Sequence, residues 1–291
     1  IAFATPPDVP GWLRWLVFSP AARIVFFAAM LLGFGFLVEV LVVSCGWTLK
    51  SASPLQHALA TLSIQLLPAL AAYLILVKLI EQRRVSELSP RDIPTYGTAG
   101  LFGGAALFSL VVAVLWLAGS YHVIGTNPQA VWLPAVLVAG IGAGVGEEIV
   151  MRGVLFRIVE EGLGSWWALV ISAFFFGAAH IANPAATLWG SAAIAIEAGV
   201  LLALIYAVTR SLWSCMGRHA AWNIMQGTVY GIPVSGSKAD GWLMSQRTGP
   251  DWLSGGAFGA EASVVALLVC TALSLALLIV ALRRGRFVPP C

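Results

Sequence analysis

Residues 139–157 read AGIGAGVGEEIVMRGVLFR, and three ionisable side chains, Glu147, Glu148 and Arg152, interrupt this apolar run. A Glu or Arg at a membrane centre costs about 2.5–3.5 kcal/mol on insertion scales, so three cost on the order of 7–10 kcal/mol if nothing compensates them. Helical spacing sorts the three. Glu148 and Arg152 stand at i and i+4, share a face, and have the acid first, which is the better order. Glu147 lies about 100° further round and cannot share that contact. The spacing therefore predicts a self-neutralising pair, Glu148 with Arg152, and one free carboxylate, Glu147, able to act as a general base. A bland alternative places all three at the membrane–water boundary. Gly142, Ala143, Gly144 and Gly146 precede the cluster and allow close helix approach.

Two further stretches carry polar side chains. In SAFFFGAAHIANP, His180 ends an aromatic run; in LWSCMGRHAAWNIMQG, His219 and Asn223 are i and i+4 and share one helix face. Singly, His180 reads as a satisfied or interfacial histidine, and the His219/Asn223 pair reads as interhelical hydrogen bonding. Together they supply a carboxylate base, a histidine, and a His/Asn pair of donors. That inventory suits activating a water and stabilising an oxyanion, where each buried donor is worth about 3–4 kcal/mol.

The elements that must position these residues follow from composition. Of 291 residues, 59% are hydrophobic and only 10% charged, with a mean hydropathy of +0.91, whereas soluble domains carry about 25% charged residues. The fold expected is an all-α polytopic membrane bundle, a single integral membrane domain over 1–291. About 20 apolar residues cross a bilayer core. Eight spans are expected, at 22–46, 57–80, 97–119, 130–150, 165–182, 185–209, 212–231 and 260–283, with the fourth continuing as helix to about 161. The net charge of +3 gives no reason to expect a nucleic-acid partner. The lipid bilayer is the expected surrounding, and oligomeric state is left open.

Short-loop Lys and Arg residues set orientation. Arg14, Arg23, Lys78, Arg83, Arg84, Arg91, Arg157, Arg210, Arg283, Arg284 and Arg286 fall on one side of an even count, with Lys50, Lys238 and Arg247 as exceptions. Both termini are thus expected in the cytoplasm, with a bacterial inner membrane as the setting. The stretch PPDVPGWLRWLVFSPAAR does not read as a signal peptide, and Trp12 and Trp15 look like interfacial anchors. Cys45, Cys215 and Cys270 show no metal-ligand spacing and are expected as small apolar fillers. Cys291 has no three residues after it and is not a prenylation box. Trp166, Trp167 and Trp213 are expected in interfacial belts. Glu39 and Glu197 are intramembrane acids that could line a cavity or be satisfied structurally.

With these residues in view, the chain resembles the CPBP (CAAX protease and bacteriocin-processing, Rce1-like or Abi) family of intramembrane endopeptidases. Its EExxxR motif is Glu147 to Arg152, its FxxxH motif is Phe176 to His180, and its HxxxN motif is His219 to Asn223. The resemblance covers roughly 130–230, the expected catalytic core. It implies a glutamate-type protease in which Glu147 and His180 hold and activate water. His219 and Asn223 would form the oxyanion hole, and Glu148 and Arg152 would be structural or substrate-positioning. The site would open laterally or to the cytosol and act on a membrane-associated protein or peptide. No cofactor is implied, although a zinc site of Glu147, His180 and His219 is an alternative. A non-catalytic immunity or scaffold protein is the other. One tension stands: Glu147 is expected toward the cytoplasmic side, yet about 22 Å of helix places His180 near the far end of the fifth span.

Overall fold

The computed structural model describes Phe3 and residues 8–290; Cys291 lies outside them. It is a helical bundle with one small two-stranded sheet. Helix α1 spans Pro20–Ser44, α2 Pro54–Ile80 and α3 Pro90–Leu117. A continuous helical stretch, Trp132–Ala182, follows. It divides at Gly164, the residue with φ 79° and ψ 170°, into α4 (132–163) and α5 (165–182). Helix α6 is Leu188–Thr209, α7 covers 212–229, and α8 is Val264–Arg283.

All eight expected segments are therefore helical, but the count by length and apolarity differs. Among the described residues, six stretches qualify as spans. The fourth and fifth expected spans form one stretch, because the chain turns at a single residue without leaving helical hydrogen bonding for a loop. Helix α7 carries too many polar side chains to qualify. These are the side chains of the candidate site.

Helix starts are written locally. Ser19 Oγ accepts from Ala22 N at 3.2 Å ahead of Pro20, and Ser53 with Gln56 forms a reciprocal capping box ahead of Pro54. Ser263 caps α8 through Ala266 N. At Gly164 the left-handed backbone excludes a side chain twice over, since a Cβ there would lie 2.8 Å from Val288 O and Pro290 N.

One end of the bundle is tied by ion pairs. Arg23 reaches Glu81 and Glu161 at 2.7 Å each, and Arg157 reaches the same two carboxylates at 2.9 and 3.0 Å. Arg83 holds Glu81 and Glu87, and Arg210 pairs with Glu160. Burial alone raises the pKa of Glu81, but the Arg157 and Arg83 guanidiniums outweigh it and hold the carboxyl below its ordinary value. Arg210 also donates to Arg286 O, and Val288 O accepts from Ser165 N, so the C-terminal residues described lie at this same end.

At the opposite end, β1 (Tyr121–Thr126) pairs antiparallel with β2 (Leu243–Arg247), drawing the α3–α4 loop to the long α7–α8 loop. Trp12, Trp15, Trp166 and Trp167 are exposed, as interfacial anchors should be. Trp213 differs from the belt expected: it is partly buried and donates from Nε1 to Ser89 O, fastening the α2–α3 connection. Cys215 and Cys270 are buried fillers, but Cys45 is exposed at the end of α1.

Candidate active site

The carboxylates stand near the middle of α4, which rises about 47 Å at 1.5 Å per residue. This resolves the depth problem. The helix runs on past the expected span to residue 163, close to the helical end expected at about 161, so Glu147 stands near its middle, and His180 at the end of α5 meets it across a cavity. Glu147, His180, His219 and Asn223, from three helices, line one cavity of about 340 Å³. Its other walls come from Gln65, from Ala135 and Val138 in the first turns of α4, from Asn183, and from Val234, Ser235, Ser237, Lys238 and Ala239. The mouth is at the sheet end of the bundle, opposite the arginine cluster.

Close helix contact makes the arrangement possible. A Cβ on Gly144 would sit 2.8 Å from Ala220 N, so only a glycine lets α4 lie directly on α7. That contact brings Glu148 to His219, with Nδ1 to Oε1 at 2.9 Å. The same Oε1 accepts from Arg152 Nη1 at 2.9 Å. Arg152 also donates to Ala198 O and Gly199 O on α6. Glu148 and Arg152 are fully buried and stand behind the cavity, not in its wall. The spacing-based pairing of Glu148 with Arg152 is present. The third member, His219, comes from another helix and could not be read from spacing.

Tautomers follow from the partners. A carbonyl or carboxylate oxygen only accepts, so the ring nitrogen facing it carries the proton. His180 Nδ1 faces Phe176 O at 2.7 Å and His219 Nδ1 faces Glu148. Both rings therefore keep Nε2 for the cavity. Phe176 explains its place in FxxxH. Its ring lies 4.9 Å from that of His180, 5.9 Å from that of His219, and 4.7 Å beneath the Arg152 guanidinium. Asn223 donates from Nδ2 to Ala139 O at 2.8 Å, which fixes the amide and leaves its second N–H unused. Glu147 is half-buried and makes no hydrogen bond or ion pair among the described residues. It is the free carboxylate that the helix arithmetic expected.

Behind the histidines lies a second chamber of about 20 Å³, room for one water. Glu197, Arg218 and Glu261 line it together with His180, His219 and Asn223. Glu197 thus has the cavity role, and Cys270 Sγ donates to it at 3.5 Å. Glu39 does not: it is exposed near the end of α1 and is not part of the main cavity wall. Glu261 accepts from Ser235 N and Gln226 Nε2, and burial pushes its pKa up to about 7. Sequence reasoning missed Arg218, Glu261 and Gln65. Gln65 was visible as a polar residue three positions before Pro68 in the apolar α2. It packs on Gly142 and also lines a lateral cleft between α1, α2 and α4, which shares Glu147 with the main cavity.

Among the described residues, no three His, Cys, Asp or Glu side chains are grouped to hold a metal ion, the trio Glu147, His180 and His219 included. What the cavity offers is a carboxylate, two imidazole Nε2 atoms and an amide N–H around a space that takes a peptide group. This is the equipment of a membrane-embedded hydrolase.

The comparisons give the same class. Residues 128–225 match the family model of the type II CAAX prenyl endopeptidases, Rce1-like. The matched segment contains all seven motif residues, Glu147, Glu148, Arg152, Phe176, His180, His219 and Asn223, and the activity the matched family implies is that of a membrane protease. No curated protein and no solved structure matches the chain.

Proposed function

We propose that this protein is a glutamate-type intramembrane endopeptidase acting on a membrane-associated polypeptide. Glu147 and His180 orient a water between them. As the water attacks the scissile carbonyl, its proton passes to Glu147, and the carbonyl oxygen becomes an oxyanion. Asn223 donates its second N–H to that oxyanion. His219, oriented by Glu148 through Nδ1, faces the same oxyanion with Nε2 and donates to it when that nitrogen carries a proton. The C–N bond then breaks, Glu147 returns the proton to the departing amine nitrogen, and the other product is a carboxylic acid that gives up the water's remaining proton to become a carboxylate. Glu148 and Arg152 act one step back, by fixing His219 and the α4–α6 contact.

The observation that carries this reading is the convergence of Glu147, His180, His219 and Asn223 from three helices on one cavity. The lateral cleft beside Glu147 supports entry of a membrane-anchored chain from the lipid side. The concentration of arginines at one end supports a cytoplasmic location for that end and for both chain ends, with a bacterial inner membrane as the setting.

The test is comparative proteomics of protein termini in membranes containing wild-type protein or Glu147→Gln. New termini that require Glu147 are expected, with yields lowered by roughly 10²–10⁴-fold in the variant. Identical termini in the two membranes overturn the proposal and favour a scaffold.

A further inference from the structure

We propose that the catalytic cavity opens on the non-cytoplasmic face of the membrane, and that its substrate is a polypeptide segment already translocated across the bilayer. The substrate half of this statement rests on the endopeptidase reading above; the orientation does not.

Two independent placements combine here. The first is of charge. The ion pairs put Arg23, Arg83, Arg157 and Arg210 at one end of the bundle, and the contact of Arg210 with Arg286 O adds the C-terminal basic residues. The helices alternate in direction, so the α1–α2 loop with Lys50 and the α7–α8 loop with Lys238 and Arg247 lie at the other end. Orientation follows the Lys/Arg count near span ends, and carboxylates contribute little to it. The glutamates paired to these arginines therefore do not cancel the bias. Each basic residue near an anionic cytoplasmic surface is worth about 1 kcal/mol, so an excess of several residues decides the orientation.

The second placement is of the cavity. Its rim is made by the first turns of α4, by Asn183 after α5, by the last turn of α7, and by Ser237 and Lys238 of the α7–α8 loop. Every one of these segments is at the end poor in basic residues. On the arginine-rich side the cavity is closed. The buried Glu148–Arg152 pair comes first, then Ile149, Val154, Phe156, Tyr206 and Leu212, all 0–1% exposed. That packing blocks a direct route from the cytoplasm to Glu147 and leaves only the lateral cleft from the lipid side. A chain on the other face reaches Glu147 through the mouth.

The orientation is tested on the full chain expressed in bacterial cells, in a background lacking Cys45 and Cys291. Single cysteines are introduced by Ser237→Cys at the cavity rim and Ser86→Cys in the α2–α3 connection; both serines are exposed. A membrane-impermeant maleimide is expected to label Ser237→Cys in intact cells and Ser86→Cys only after permeabilisation. The reverse pattern, or labelling of both in intact cells, overturns the proposal. A second measurement covers the case of two unreactive thiols. A C-terminal fluorescent-protein fusion is expected to be bright and a C-terminal alkaline phosphatase fusion silent, and the opposite result overturns the orientation. Glu147→Gln separates the two readings. Expected labelling with no Glu147-dependent termini defeats the endopeptidase reading alone. Glu147-dependent termini with reversed labelling defeat the orientation alone.

Discussion

One oxygen of Glu148 receives both His219 Nδ1 and Arg152 Nη1, each at 2.9 Å. A single buried carboxylate thus sets a histidine on α7 and anchors an arginine that reaches the backbone of α6. Two adjacent glutamates in one motif have separate duties because α4 presents them to different neighbours: Glu147 to open space, Glu148 to packed protein.

This separation makes Glu148 the residue on which stability depends. Glu148→Gln removes the counter-charge of Arg152, which has no exposure to water. Breaking one side of a buried pair costs about 3–5 kcal/mol. The expected result is a large loss of thermal and denaturant stability in detergent, with cleavage lost as well. Glu147→Gln, lacking such partners, is expected to melt as wild type does.

Asn223 is held by one N–H and offers the other. Asn223→Ala is expected to lower kcat by about 10²–10³-fold with little change in KM, the pattern of a donor that works on the developing oxyanion. Steady-state kinetics on a cleaved peptide identified from the termini measure this. An equal rise in KM at constant kcat contradicts the oxyanion role.

Glu261 introduces a pH dependence of stability. Burial raises its carboxyl from 4.5 to about 7 in the folded protein. Between those values the unfolded chain ionises first and the folded chain holds the proton, so stability falls as pH rises, and it levels off above about 7. The full effect is about 3 kcal/mol. Glu81 and Glu87, whose carboxyls are held below their ordinary values once their arginine partners outweigh burial, act in the opposite sense. Their stabilisation is present above 4.5 and is lost as pH falls through their folded values. Denaturant unfolding from pH 4.5 to 8 is expected to show a decline that Glu261→Gln removes.

Chelation separates water activated by side chains from water activated by a metal. Cleavage is expected to continue after prolonged dialysis of the purified protein against a strong zinc chelator. Loss of activity that added zinc restores contradicts the glutamate mechanism while leaving the site residues in place.

Local sequence was enough for the class, the helices and part of the site. Apolar length determines a membrane bundle because backbone groups in lipid must be satisfied within each helix. The i, i+4 spacing determines the Glu148–Arg152 pair and the shared face of His219 and Asn223, since those distances are internal to one helix. The three motifs carry the resemblance that the family match bears out.

Relations between helices were not legible. That His219 meets Glu148 and that Gln65 and Glu261 stand beside the site both depend on packing between segments far apart in the chain. The direction of the cavity mouth belongs to the same group. Sequence gives the end that each loop occupies, but only the assembled bundle decides at which end the space beside Glu147 stays unfilled. Gly144 lets α4 press onto α7, apolar side chains close the arginine-rich side, and the α7–α8 loop leaves the other side open.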